Sequence, residues 1–240
     1  MTAHRRGRRT LVAIALVIAV LVGVNLADRF GPPHAGLVIG PLVAAALLVV
    51  ARRAGLSWDD LGLARRSWRR GAAYAAVAVT LVAGGYAVGA ALPETRPAFL
   101  DARYHLPPAS ALVTALLVIP LSTVLLEEVA FRGVLLGLVR HHRGTAWATG
   151  VSSSLFGLWH ILPSLRLNKA NHAVAALAGA GGGARFLVVA AVVAFTAVAG
   201  LVFCELRRRS GSLIAAAGLH WATNALGVVA ATLVWTLRVA

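Results

Sequence analysis

The sequence predicts an all-α protein, a polytopic bundle of about seven transmembrane helices, and three observations lead there. Ala, Val, Ile, Leu, Met, Phe, Trp, Tyr and Cys together fill 59% of the 240 positions. Charged residues fill 13%, about half of the roughly 25% usual in globular proteins. That leaves too little polar surface to cover a water-soluble domain, and the same numbers exclude a disordered chain. Finally, the apolar residues come in unbroken blocks of the length that crosses a bilayer as a helix, without the alternation of a transmembrane β-strand.

Seven blocks can be drawn, at about 11–27, 35–51, 71–92, 109–139, 145–162, 186–204 and 212–237. Turn formers separate them: Gly31-Pro32-Pro33, Pro93 with Pro97, Pro107-Pro108, Pro163 and Gly181-Gly182-Gly183. Arg5, Arg6, Arg8 and Arg9 precede the first block in the manner of a secretory signal. The block ends in Asn25-Leu26-Ala27-Asp28 without a small-x-small cleavage pattern, so a retained helix is expected. Residues 52–70 mix arginines with Trp58, Trp68 and Leu61-Gly62-Leu63, and are expected to lie along the membrane surface as an amphipathic segment. In the third block, Gly85 and Gly89 form a small-residue face suited to close packing, within the bundle or between copies. The fourth block is the longest and contains Pro120, which predicts a kink or strong tilt. The single cysteine, Cys204, allows no internal disulfide and is expected to be a small buried hydrophobe. No repeat or low-complexity tract divides the chain. It reads as one continuous membrane domain: an N-terminal region, 1–108, with three helices and the interfacial segment, and a four-helix core, 109–240.

The 23 basic residues outnumber the 8 acidic ones, a net charge of +15. They cluster in short stretches between the blocks, which points to anionic lipid headgroups and not to nucleic acid. With the N-terminus inside, fifteen fall on the cytoplasmic side, in the stretches 5–9, 52–53, 65–70, 140–143 and 207–209. Seven fall on the other side, and Arg132 lies within a block. The bias predicts a multi-pass protein of the cell membrane with a cytoplasmic N-terminus and an external C-terminus.

Few ionisable groups lie inside the blocks. Glu127 and Glu128 are adjacent in the fourth, with Arg132 four residues on; His160 is in the fifth, and His220 and Asn224 are in the seventh. Each charge buried in a membrane helix costs at least roughly 2.5–3.5 kcal/mol, so two adjacent carboxylates demand a use. Glu128 and Arg132 are at i and i+4 and form an expected ion pair. Glu127 points about 100° away and is left without an in-helix partner. His220 and Asn224 share one helix face. At about 1.5 Å per residue, Glu127, His160 and His220 lie roughly 20, 22 and 14 Å from the cytoplasmic ends of their helices. Groups this rare at a similar depth on three helices predict one site, expected to open toward the cytoplasmic half of the bilayer.

The segments Glu127-Glu128-Val129-Ala130-Phe131-Arg132-Gly133, Phe156-Gly157-Leu158-Trp159-His160 and His220-Trp221-Ala222-Thr223-Asn224 resemble the EExxxR, FxxxH and HxxxN motifs of the CPBP family of intramembrane proteases. That family includes the type II CAAX prenyl endopeptidases and bacteriocin-processing or immunity proteins. The resemblance covers about 109–237. It implies that Glu127 and His160 activate a water, that Glu128 and Arg132 support the site, and that His220 and Asn224 stabilise the oxyanion or help to hold a metal. The substrate implied is a membrane-anchored protein or peptide, cleaved near its C-terminus. Hydrolysis without a Ser or Cys nucleophile needs just such a base for water and a donor for the tetrahedral oxygen. Glu127, His160 and His220 could make a three-ligand zinc site with one open position, yet HExxH is absent, so zinc-dependent and metal-free mechanisms both stay open. A catalytically unused scaffold or immunity protein and a proton-coupled transporter are the competing readings. Transport is disfavoured because matching interrupted helices are absent. Oligomeric state is not legible.

Overall fold

The computed structural model describes residues 3–32, 35–165, 167–178 and 182–239. Among these the chain is helical throughout, and its only strand-like feature is an isolated bridge between Asp101 and Asn171. We number the long helices α1 (Ala3–Phe30), α2 (Gly36–Arg53), α3 (Trp68–Ala91), α4 (Pro108–Arg143), α5 (Thr145–Trp159), α6 (Gly182–Ser210) and α7 (Leu213–Arg238). All but α5 are long and apolar enough to cross a membrane. With 15 residues α5 is shorter, but it too runs between opposite ends of the bundle. It starts beside Arg140, which bonds the α2–α3 loop, and between the short helices after it stands Asn171, which bonds Ala98 in the α3–α4 loop. The chain is therefore a multi-pass membrane protein. Its outer surface is that of a lipid-facing bundle, with side chains such as Phe195 (73%), Phe186 (72%) and Leu81 (71%) exposed.

Helices in lipid gain nothing from hiding apolar surface from each other, so close packing at small residues holds them. The positions doing this are not Gly85 and Gly89. A Cβ on Gly85 would meet nothing, and one on Gly89 would meet only Phe99 and Thr95 of the adjoining loop. Instead Gly71 and Gly218 let α3 and α7 touch, at Ser212 and Ala75 respectively. Gly157 and Gly200 do the same for α5 and α6, and Gly40 brings α2 against the α4 backbone at Leu121. The first helix belongs to this packing: Ala13, Val17, Leu21 and Val24 are buried in the main core. Cys204 is buried there as expected.

The fourth helix is continuous but not regular. Wide π-type turns run over Thr114–Val124 and Glu128–Leu135. The first contains Pro120, which has no N–H for the helix ladder and crowds the carbonyl a turn earlier. Wide turns of this kind recur at functional sites.

Most of the 52–70 segment, residues 54–67, lies between α2 and α3. These residues form a turn-rich loop folded into the arginine-rich end of the bundle, with Leu56 and Leu61 buried in the core and Ser57, Trp58, Asp59, Arg65 and Arg66 exposed. Two groups bind the loop. Asp60 accepts from the Ser57 backbone and hydroxyl, from Arg140 and from His141. Arg207, itself buried, donates to the carbonyls of Asp59 and Asp60. Gly62 has a φ of +74°, and any side chain there would run into the Arg207 guanidinium.

Partial burial pushes the Asp60 carboxyl up, but the Ser57 and His141 hydrogen bonds outweigh it and hold the group well below the usual carboxylate range. A depressed folded-state pKa stabilises the fold at pH values above the unfolded value of about 3.9, and this contribution is withdrawn as pH falls below it. The detergent-solubilised protein is therefore expected to lose thermal stability between about pH 4 and 3, and Asp60→Asn to show a smaller loss over that interval. Identical acid-side slopes would remove Asp60 from the loop's anchorage.

Candidate active site

The middle of α4 faces α5, α6 and α7, and its polar residues are among the most buried in the protein: Glu127, Glu128 and Arg132 are 5%, 1% and 0% exposed, and His220 on α7 is 3% exposed. Glu128 Oε1 accepts from Arg132 Nη1 at 3.1 Å, the expected i to i+4 pair. The same oxygen lies 2.9 Å from His220 Nδ1. A carboxylate can only accept, so Nδ1 is the nitrogen that carries hydrogen there, and Nε2 is turned the other way. It faces Glu127 Oε2 at 3.7 Å. The two adjacent glutamates, pointing in different directions from α4, thus flank one imidazole, each at a different nitrogen.

Glu127 is not without another partner. Its Oε1 accepts from the indole Nε1 of Trp159 at 2.9 Å. Oε2 has no hydrogen bond, and neither have Glu128 Oε2, Arg132 Nε and Arg132 Nη2. For the arginine, aromatic rings compensate. Its guanidinium carbon lies 3.8 Å from the centre of the Phe156 ring, 4.6 Å from Phe203 and 5.8 Å from Phe131, within the range of attraction between a cation and a ring face. Phe203 also stacks on His220, with centroids 5.2 Å apart.

The other two expected residues stand apart from this cluster. His160 occupies the break where α5 ends, and its Nδ1 pairs with the Phe156 carbonyl at 2.8 Å, leaving Nε2 free. It makes no hydrogen bond to either glutamate. Asn224 lines a cavity of about 300 Å³ with Tyr86, Asp101, Tyr104, Asn171 and Thr223. This cavity reaches the loops at the end opposite the arginine-rich one. The arginine-rich end is covered by the 54–67 loop, with the Leu61 carbonyl directly over Gly133.

Three aromatic contributors were not singled out as site residues in the sequence: Trp159, Phe156 and Phe203. Trp159 carried a signal, because an indole N–H within an apolar helix needs an acceptor. Phe203 carried none. For a zinc site the donors do not assemble: among the described residues no three His, Cys, Asp or Glu side chains come together as a metal-holding set. His160 is the member left out.

Residues 109–226 match the family model described as type II CAAX prenyl endopeptidase, Rce1-like. That match supports a CPBP family intramembrane protease, Rce1-like over this stretch. All six residues named above as site candidates, from Glu127 to Asn224, fall within the Rce1-like stretch, while α1, α2 and α3 lie before it. No match to a curated protein or to a solved structure was found.

Within this Rce1-like core the two glutamates should respond differently to substitution. Glu128→Ala or Arg132→Ala strands a buried charge, typically at about 3–5 kcal/mol, so both should sharply reduce the yield and melting temperature of purified protein. Glu127→Gln keeps the shape and the acceptor for Trp159 and should melt close to wild type. A Glu127→Gln protein less stable than Arg132→Ala would reverse this division of roles.

Proposed function

We propose that the protein is an intramembrane endopeptidase that hydrolyses a peptide bond of a membrane-anchored protein or peptide, of the CAAX type suggested by its family. The observation that carries this reading is the facing pair Glu127 Oε2 and His220 Nε2, 3.7 Å apart and buried. A single water can lie within hydrogen-bond distance of both atoms. Glu127, as carboxylate, takes a proton from this water while the oxygen bonds to the scissile carbonyl carbon. The negative charge that develops on the carbonyl oxygen meets His220, protonated and held in orientation by Glu128 through Nδ1. As the C–N bond breaks, Glu127 returns the proton to the leaving nitrogen. This differs from the roles implied by the motifs, since it is His220 that faces Glu127. His160, with Nδ1 fixed by Phe156, is assigned to relaying protons at the edge of the site. Asn224 is assigned to the oxyanion, where the loss of one donor typically costs about a hundred- to a thousandfold in rate.

The donor arrangement favours a metal-free reaction. Placing the N-terminus in the cytoplasm, as the arginine bias suggests, makes the scissile bond enter laterally or from the outer end, past Asn224. Tags at each terminus, tested for protease access in oriented vesicles, should place the N-terminus inside; an external N-terminus overturns this orientation.

The reaction is tested with a farnesylated CAAX-type reporter peptide and the protein in lipid nanodiscs. Glu127→Gln and His220→Ala should abolish cleavage, and His160→Ala and Asn224→Ala should slow it. A chelator should leave the wild-type rate unchanged; loss of cleavage on chelation, restored by zinc, would instead establish a metalloprotease. Wild-type cleavage by Glu127→Gln would refute the mechanism and favour a scaffold or transport role.

A further inference from the structure

The first helix lies outside the Rce1-like match, yet one of its residues reaches the site. Asn25 is a polar side chain near the end of an apolar helix. Its Nδ2 donates to the backbone carbonyl of Trp159 at 2.7 Å, across 134 residues of sequence. That carbonyl belongs to the last residue of α5, where the final turn of any helix leaves acceptors without an in-helix donor. In lipid no water would supply one. Trp159 is also the residue whose indole N–H holds Glu127 Oε1 at 2.9 Å. Asn25 and Trp159 share the wall of an apolar groove of about 330 Å³ between α1 and α5, together with Leu21, Phe131 and Leu155.

We propose that Asn25 is a positioning residue for Glu127, acting through Trp159. By fixing the end of α5 it fixes the indole, which occupies Oε1 of the carboxylate and leaves Oε2 directed at His220. The chain of contacts runs from α1 to the backbone of α5, from its side chain to α4, and from there to α7. Within the groove Asn25 is the polar contributor from α1, the rest of the α1 lining being Ile18, Leu21, Val22 and Leu26. The first helix is therefore part of the hydrolytic machinery and not only its membrane anchor. This rests on the reading of Glu127 as base, so the test carries one measurement that needs no substrate.

Wild type, Asn25→Leu, Asn25→Gln, Trp159→Phe and the double variant Asn25→Leu/Trp159→Phe are compared in nanodiscs. Asn25→Leu suits the apolar groove, so it should fold, with a melting temperature near wild type. On the farnesylated reporter, Asn25→Leu and Trp159→Phe should each lower kcat by up to roughly a hundredfold, as slight misplacement of a reacting group does, with KM little changed. The double variant should be no slower than Trp159→Phe, since both act on one link, and Asn25→Gln, which keeps the amide donor, should recover part of the rate. In parallel, protein labelled with 5-fluorotryptophan is examined by fluorine NMR. The Trp159 resonance, identified by its loss in Trp159→Phe, should move in both Asn25→Leu and Glu127→Gln. An unmoved resonance in Asn25→Leu, multiplying losses in the double variant, or a rate loss that merely follows the melting temperature overturns the proposal. If the resonance moves but the wild type does not cleave the reporter, the positional link stands and the CAAX-type endopeptidase reading falls.

Discussion

Two neighbouring carboxylates cannot be kept in a dry helical core unless something divides their charge, and here one imidazole does so. His220 presents a different nitrogen to each of Glu127 and Glu128. Much of the architecture around them follows from this. Arg132 balances the second carboxylate and is in turn accommodated by Phe156 and Phe203 rather than by further hydrogen bonds. The wide turns of α4 sit beside and within the motif, and the main core wraps α4 with helices from both halves of the chain. A charged group that would be costly to bury alone becomes tolerable when an opposite charge and hydrogen bonds meet it.

How legible this was depends on the range of the interaction. The seven crossings follow from block length, and the Glu128–Arg132 pair follows from helical spacing, both local properties. That Glu127, His160 and His220 share one site was inferred from comparing depths along separate helices, because a bilayer imposes a common ruler on every span. Depth carries no information about rotation, and there the reading fell short. His160 has the right level but lies at a helix break that turns its Nδ1 to Phe156, and Glu127, lacking a partner on its own helix, has Trp159 from another. Small-residue spacing was equally ambiguous. Gly85 and Gly89 have the spacing of a packing face, but the close approaches occur at Gly71, Gly157, Gly200 and Gly218, which only the arrangement of neighbours could select.

The 54–67 loop shows a second limit of composition. Arginine and tryptophan interleaved with leucine describe a surface-seeking segment equally well whether it lies on lipid or caps a bundle. What decides is the set of partners: buried Arg207 from α6, Arg140 from α4 and the close surfaces at Gly133 and Gly137. At the opposite end a polar cavity is lined by Asn224, Asp101 and Asn171.

The brevity of α5 reaches beyond the protein itself. Fifteen residues span about 22 Å as a helix, against a hydrocarbon thickness of about 30 Å. The helix that ends at Trp159 and His160 is therefore too short for an undisturbed membrane. Lipids beside it must thin or tilt to keep the break and the polar residues after it from sitting in hydrocarbon. The groove between α1 and α5 lies beside this short helix, which makes acyl-chain length a variable of the protein's surroundings, tuned by whichever membrane it inhabits.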